Sequence, residues 1–284
     1  PIFIVASDRF VHIMTAPNST YPNDYALSDY FPEFQNFPGN WQDGKLFSLV
    51  TRFGFLGVAY NTDALTEAEA ATYNVFWNEK LKGKVGHFDW HLPNLGQISL
   101  LNGNAVPYDI DEAAWNAVKE KTLSLRSNVG GFFDYGGTFS SLNDGQMLAF
   151  AGIGDWITGV LERNGAKVRS TIPEEGGLQW TESFSIGKGS QKADLAKKWI
   201  QYITSAKGQA KSANMAAYPA LIPNQKGWEV LNAENPAEAK RQGMVIGGAN
   251  VMDLIRSGRI QYRQLPIQQD LETWNDFWSE YKGS

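Results

Sequence analysis

Short β-branched runs alternate with stretches of helical period along most of this chain, and that alternation confines it to α/β architecture. Ile2 to Ala6 is an apolar, strand-like run that ends at Ser7-Asp8-Arg9, and Phe10 to Met14 reads as a helix start. Pro17 to Gly44, rich in Pro, Asn, Asp and Tyr, reads as a long loop with short helical turns. Leu46 to Val50 and Gly54 to Tyr60 read as strands, and Asn61-Thr62-Asp63 as a turn. Trp115, Val118, Thr122 and Leu125 share one face of a helix over Asp111 to Leu125. Met147 to Ile153 reads as a buried strand leading into a helix that opens at Asp155-Trp156 and stops near Asn164-Gly165. Gln179 to Ile186 alternates as a strand does. Asp194 to Ile203 predicts an amphipathic helix with Leu195, Trp199, Ile200 and Ile203 inward. Leu271, Trp274, Trp278 and Tyr281 stripe a C-terminal helix.

With 284 residues the chain is long enough for two lobes of ordinary size. Apolar residues at 43% and charged residues at 19% are the balance of a water-soluble globular protein. No apolar run is long enough to span a bilayer. The net charge of -5 disfavours a nucleic-acid partner, which needs a basic surface, and does not repel a cation. No cysteine is present, so disulfides, thiolate metal sites and cysteine nucleophiles are excluded together. The apolar start lacks a basic segment and a cleavage site, and the chain reads as opening inside a strand, with something upstream missing.

Signatures of catalysis are missing. Gly187-Lys188 lacks the upstream glycine of a phosphate loop, Gly152-x-Gly154 lacks the third glycine of a dinucleotide site, and no G-x-S-x-G run occurs. Only three histidines exist to serve as a general base. In His87-Phe88-Asp89-Trp90-His91 two histidines would share a helix face and suit zinc, but the strand-like run before them and Pro93 after them predict a strand-to-loop junction and no metal. No cofactor is expected.

Acids beside aromatics carry more information. Asp8 lies near Phe10, Asp89 beside Trp90, Asp155 beside Trp156, and Glu182 two residues after Trp180, each near the end of an expected strand. Strand ends in open α/β sheets converge on a crevice. Carboxylates and ring faces there would form a box for a cation. A solute bearing a carboxylate would instead require an arginine clamp, for which Arg9, Arg52 and Arg263 are candidates.

On these residues the sequence resembles the substrate-binding proteins of spermidine/putrescine ABC importers. The resemblance runs from about Phe3 to Tyr281 and is sharpest in Tyr60-Asn61-Thr62, Leu81-Lys82-Gly83-Lys84-Val85, the stretch from Pro173-Glu174-Glu175-Gly176-Gly177 through Trp180-Thr181-Glu182-Ser183, and Tyr218-Pro219 with Pro223-Asn224. It implies an α/β, two-lobed type II periplasmic-binding-protein fold with interleaved lobes. One lobe would comprise 1–60 and 180–250, lacking the family's first βα unit, and the other 61–179 and 251–284. It also implies a small cationic solute held by hinge closure, a membrane permease as partner, a monomeric state, and a periplasmic or lipid-anchored extracellular location. By position, Trp180 matches the tryptophan along the ligand's methylene chain, Glu182 the acid that takes an amine, and Tyr218 a pocket tyrosine. Asp155, followed by Trp156, matches an acid of the putrescine-binding branch. Ser7, with Asp8 next to it, matches a pocket serine, Asp89 an acid of the spermidine binders, and Gln264 a late polar contact. The chain departs from the family in having Gly152 or Gly154 where some members carry a tryptophan, and Leu92-Pro93-Asn94 where an Arg-Glu pair is common. Alternatives are an amino-acid-like, opine-like or sugar solute on the same fold, or a glycoside hydrolase built on two carboxylates.

Overall fold

The computed structural model describes residues 2–5, 27–187 and 190–284, so Ser7, Asp8 and Arg9 lie outside the described residues. Its strands, in chain order, are β1 (Ile2–Val5), β2 (Trp41–Gln42), β3 (Lys45–Leu46), β4 (Leu49–Leu56), β5 (Val58–Asn61), β6 (Val85–Phe88), β7 (Val129–Phe133), β8 (Ala149–Ala151), β9 (Val168–Thr171), β10 (Gly177–Ile186) and β11 (Ile260–Tyr262). The chain divides into two compact units, one of Pro1–Gly54 with Trp180–Leu254 and the other of Phe55–Gln179 with Ile255–Ser284. The change-over points fall inside β4, inside β10 and inside the short helix Met252–Arg256.

In the first unit β10 pairs antiparallel with β1, from Ile2 opposite Ile186 to Val5 opposite Ser183, and also pairs with β4. The polar–apolar alternation of β10 predicts a half-exposed strand, yet all of it is buried. Two of its polar residues find partners instead of water: the Ser183 hydroxyl donates to Asn40 Oδ1 at 3.2 Å, and the Glu182 carbonyl accepts from the Thr51 hydroxyl at 3.2 Å. Phe184 and Ile186 pack with Leu46, Leu49, Ala196 and Ile200.

The helix Ala193–Thr204 forms where expected but turns a different stripe inward. Ala196, Ile200 and Thr204 are buried, with Ile203 packed against the same core, while Leu195 and Trp199 are 65% and 47% exposed. Leu195 and Trp199 each precede a buried position by one residue, about 100° around the helix. Apolar spacing alone did not distinguish the two stripes.

The second unit contains a five-stranded sheet in the order β7-β6-β8-β5-β9. β6 is parallel to β7 and β8, and β5 is antiparallel to β8 and β9. Each parallel strand runs into a helix: β6 into His91–Leu101, β7 into Tyr135–Asn143, and β8 into Asp155–Arg163. The helix Glu112–Ser124 is capped by the Asp111 carboxylate, which accepts from Ala114 N. It sets Trp115 flat against Trp274 of the C-terminal helix Leu271–Gly283, with ring centroids 4.8 Å apart. Much of the tryptophan content is spent on such packing, since Trp115, Trp228, Trp274 and Trp278 are all buried.

Candidate ligand-binding site

In the first unit, Trp180 and Glu182 stand two residues apart on β10 and so share a face of the strand. Glu182 is 7% exposed, and its carboxylate is fully engaged. Arg52, from β4, places Nε 3.0 Å and Nη2 2.5 Å from Glu182 Oε2. The Tyr218 hydroxyl donates to Oε1 at 2.7 Å. The Arg52 guanidinium also lies 4.0 Å from the Tyr218 ring centroid, and the Trp180 and Tyr218 rings stack at 5.8 Å. Tyr218 sits in the loop before Pro219, which is held to β4 by Phe53 N donating to Leu221 O at 3.0 Å. A buried charge pair persists only where hydrogen bonds replace the lost hydration, and the arginine fork and tyrosine hydroxyl supply them. The result is an electrically neutral cluster walled by two rings. The sequence reading treated Glu182 as an acid waiting for an ammonium group, and the structure has it already holding one cation.

In the second unit, β6, β7 and β8 end at one edge of the sheet, the edge at which parallel α/β sheets bind ligands. Asp155 opens the helix Asp155–Arg163 there and is half-buried. Trp156 packs on Tyr135 and Phe139, at 5.9 and 5.7 Å between ring centroids, and Phe88 lies 4.7 Å from Tyr135. Tyr135 is 54% exposed, so its ring is the outermost of this group; sequence reasoning missed it, although it follows the expected acid-beside-aromatic pattern as Asp134-Tyr135. Gln264 is half-buried just after β11. Its neighbour Arg263 is buried with the guanidinium 4.3 Å from the Trp90 ring centroid.

Asp89 is placed differently from the others. It accepts from Trp278 Nε1 at 2.9 Å and from Lys282 Nζ at 2.8 Å, both on the C-terminal helix. Partial burial raises its pKa, but the bonds from Lys282 and Trp278 outweigh this and hold the carboxyl below its ordinary value. Asp89 thus anchors a helix.

Of the two histidines in the metal-like cluster, His87 serves structure. His91 begins a helix rather than a loop, and Pro93 is tolerated because the first turn of a helix needs no N–H there. Asn94 Nδ2 donates to the carbonyls of Phe88 and Trp90, each at 2.7 Å, which leaves Asn94 Oδ1 as an acceptor. His87 therefore carries its proton on Nδ1, donating to Asn94 at 2.7 Å, and Nε2 accepts from the Tyr281 hydroxyl at 3.2 Å. Burial lowers the His87 pKa to about 4, so the ring is neutral at pH 7. Among the described residues no group of three or more His, Asp or Glu side chains is arranged to hold a metal ion.

Two glycines of the motifs answer backbone demands. Gly152 has φ +81°, and a Cβ there would lie 2.6 Å from Asn94 Nδ2, so any side chain there would be strained. Gly176 has φ +105°, and its Cβ would lie 2.5 Å from the Arg259 carbonyl oxygen. Glu175 before it accepts from the Thr72 hydroxyl and from Tyr73 N. The Glu-Gly-Gly element thus ties the start of β10 into the second unit.

The fold is shared with known proteins. The chain is 24% identical over 242 residues to the spermidine/putrescine-binding periplasmic protein 1 of Haemophilus influenzae, covering 82% of this chain and 65% of that protein. The spermidine/putrescine ABC transporter substrate-binding protein PotD of Streptococcus pneumoniae has a similar fold, with a TM-score of 0.78 at 16% identity, covering 99% of this chain and 83% of the other. So does MotA of A. tumefaciens, solved with glucopine, with a TM-score of 0.71 at 14% identity over 99% and 83% of the two chains. No helix among the described residues is long and apolar enough to cross a membrane. Residues 4–229 match the family described as bacterial extracellular solute-binding protein, and the chain belongs to that family.

Proposed function

We propose that this protein is the solute-binding component of a bacterial ABC importer, acting in the periplasm or from a lipid anchor, and that it captures a small solute through an ammonium group. The observation that carries this reading is the buried Glu182 carboxylate beside the Trp180 and Tyr218 rings. Acid and ring faces together replace the hydration shell of an ammonium and of the methylenes attached to it. The names of the Haemophilus and Streptococcus relatives support an amine, with polyamines as the first class to test. Asp155, Trp156, Gln264, Ser7 and Asp8 are the further side chains proposed for ligand contact. Asp89 is left to its structural role with Lys282.

Binding would proceed by hinge closure, with bending in β4 and β10, the strands through which the chain passes from one unit to the other. The ligand favours the closed state by the contacts that only that state makes. A membrane permease would then receive the solute. A glycosidase needs two carboxylates facing one groove; Glu182 is held by Arg52 and Asp89 by Lys282, which favours binding over hydrolysis. Isothermal titration with a panel of small amines tests the proposal. Heat from at least one amine, abolished in Glu182→Gln, is expected; a panel in which no amine binds refutes it.

A further inference from the structure

Arg52 is the one feature of the ring-walled cluster that an ammonium site does not require. Its guanidinium carries five N–H donors. Nε and Nη2 serve Glu182, whereas Nη1 faces Met215 Sδ at 3.7 Å, and among the described residues no oxygen accepts from it. Sulfur is a weak acceptor, and Met215 is 43% exposed, so this side of the guanidinium opens toward the surface. Both Glu182 oxygens are meanwhile occupied, one by Arg52 and the other by Tyr218. A pure diamine entering here would meet a neutral ion pair and the like charge of Arg52, with no anion of its own to offset that charge. An amine that also carries a carboxylate matches both partners, because its carboxylate completes the fork that Nη1 leaves unused while its ammonium meets Glu182.

We infer that Arg52 sets the specificity of this site, selecting amines that also bear a carboxylate over the corresponding diamines. The inference rests on the proposal that the Glu182 cluster is the ligand site. Its test uses two solutes of equal chain length that differ at one end, 4-aminobutanoate and 1,4-diaminobutane, titrated into the protein by calorimetry. The protein should bind 4-aminobutanoate at least about tenfold more tightly than the diamine. Arg52→Met, which removes the charge and leaves Glu182 open, should reverse the order. Arg52→Lys keeps the charge but loses the fork, and should weaken 4-aminobutanoate about threefold while preserving the order. Tighter binding of the diamine by the unaltered protein overturns the inference and leaves the amine-binding reading standing, and this arm needs no variant to fold. An unchanged order in a folded Arg52→Met protein also overturns it. Heat from neither solute, nor from any other amine, overturns both.

Discussion

Glu182, inside β10 of the first unit, and Asp89, just after β6 of the second, each lie within two residues of an aromatic, and each is paired with a cation, but the two pairs differ in environment. Glu182 and Arg52 have side chains only 9% and 11% exposed, and the tyrosine hydroxyl completes the carboxylate's bonding. Asp89 and Lys282 are 41% and 34% exposed, in reach of water. In the second unit the buried imidazole of His87 is kept uncharged, in the chain from Tyr281 through His87 to Asn94. The difference teaches where binding energy can be stored. A buried, ring-flanked ion pair loses much when a partner is lost and responds strongly to a competing charge, whereas an exposed pair mostly holds position.

The largest expected effect sharpens this contrast directly. Glu182→Met strands Arg52 among apolar neighbours and should cost about 3–5 kcal/mol of stability in urea unfolding at pH 7. A cost no greater than that of Asp89→Asn would break the comparison.

Acid should then act on the second unit through His87. Its folded pKa of about 4 lies below its ordinary 6.5, so the unfolded chain binds the proton more readily between these values. The stabilisation is complete above about pH 6.5 and is lost as pH falls toward 4, on the order of 3 kcal/mol. Denaturant midpoints at pH 7 and pH 4.5 measure it, and His87→Gln should flatten the difference.

Backbone geometry at the start of β10 comes next. Gly176→Ala forces a side chain onto positive φ and into the Arg259 carbonyl, at a cost of about 2 kcal/mol. The smallest effect belongs to Asp89→Asn, which should change stability by less than about 1 kcal/mol, with an added sensitivity of the C-terminal helix to proteolysis as its local sign.

Much of the α/β character was legible along the chain. The helix at 112–124, the strand at β8 and its following helix, and the aromatic stripe of the C-terminal helix all carry their period in the residues themselves. The candidate site was legible only as residue types. Trp180, Glu182 and Tyr218 could be singled out, but the bond from Arg52 to Glu182 joins β4 to β10 across 130 positions of sequence, and no local pattern signals it. Leu195 and Trp199 misled for a related reason: a helix with two adjacent apolar stripes buries whichever one its neighbour can pack, and that neighbour is remote in sequence. Pro93 misled as well, because a proline in a first turn looks from the sequence like one that ends a helix.

The order of strands and helices, the absence of thiol chemistry, and the clustering of acids with aromatics were determined by the sequence alone, because periodicity and composition act locally. Which acid stays charged, which cation holds it, and which ring faces wall it were decided only by the tertiary structure. Burial and pairing depend on groups brought together by folding, and a charge takes its meaning from the dielectric and the partners around it.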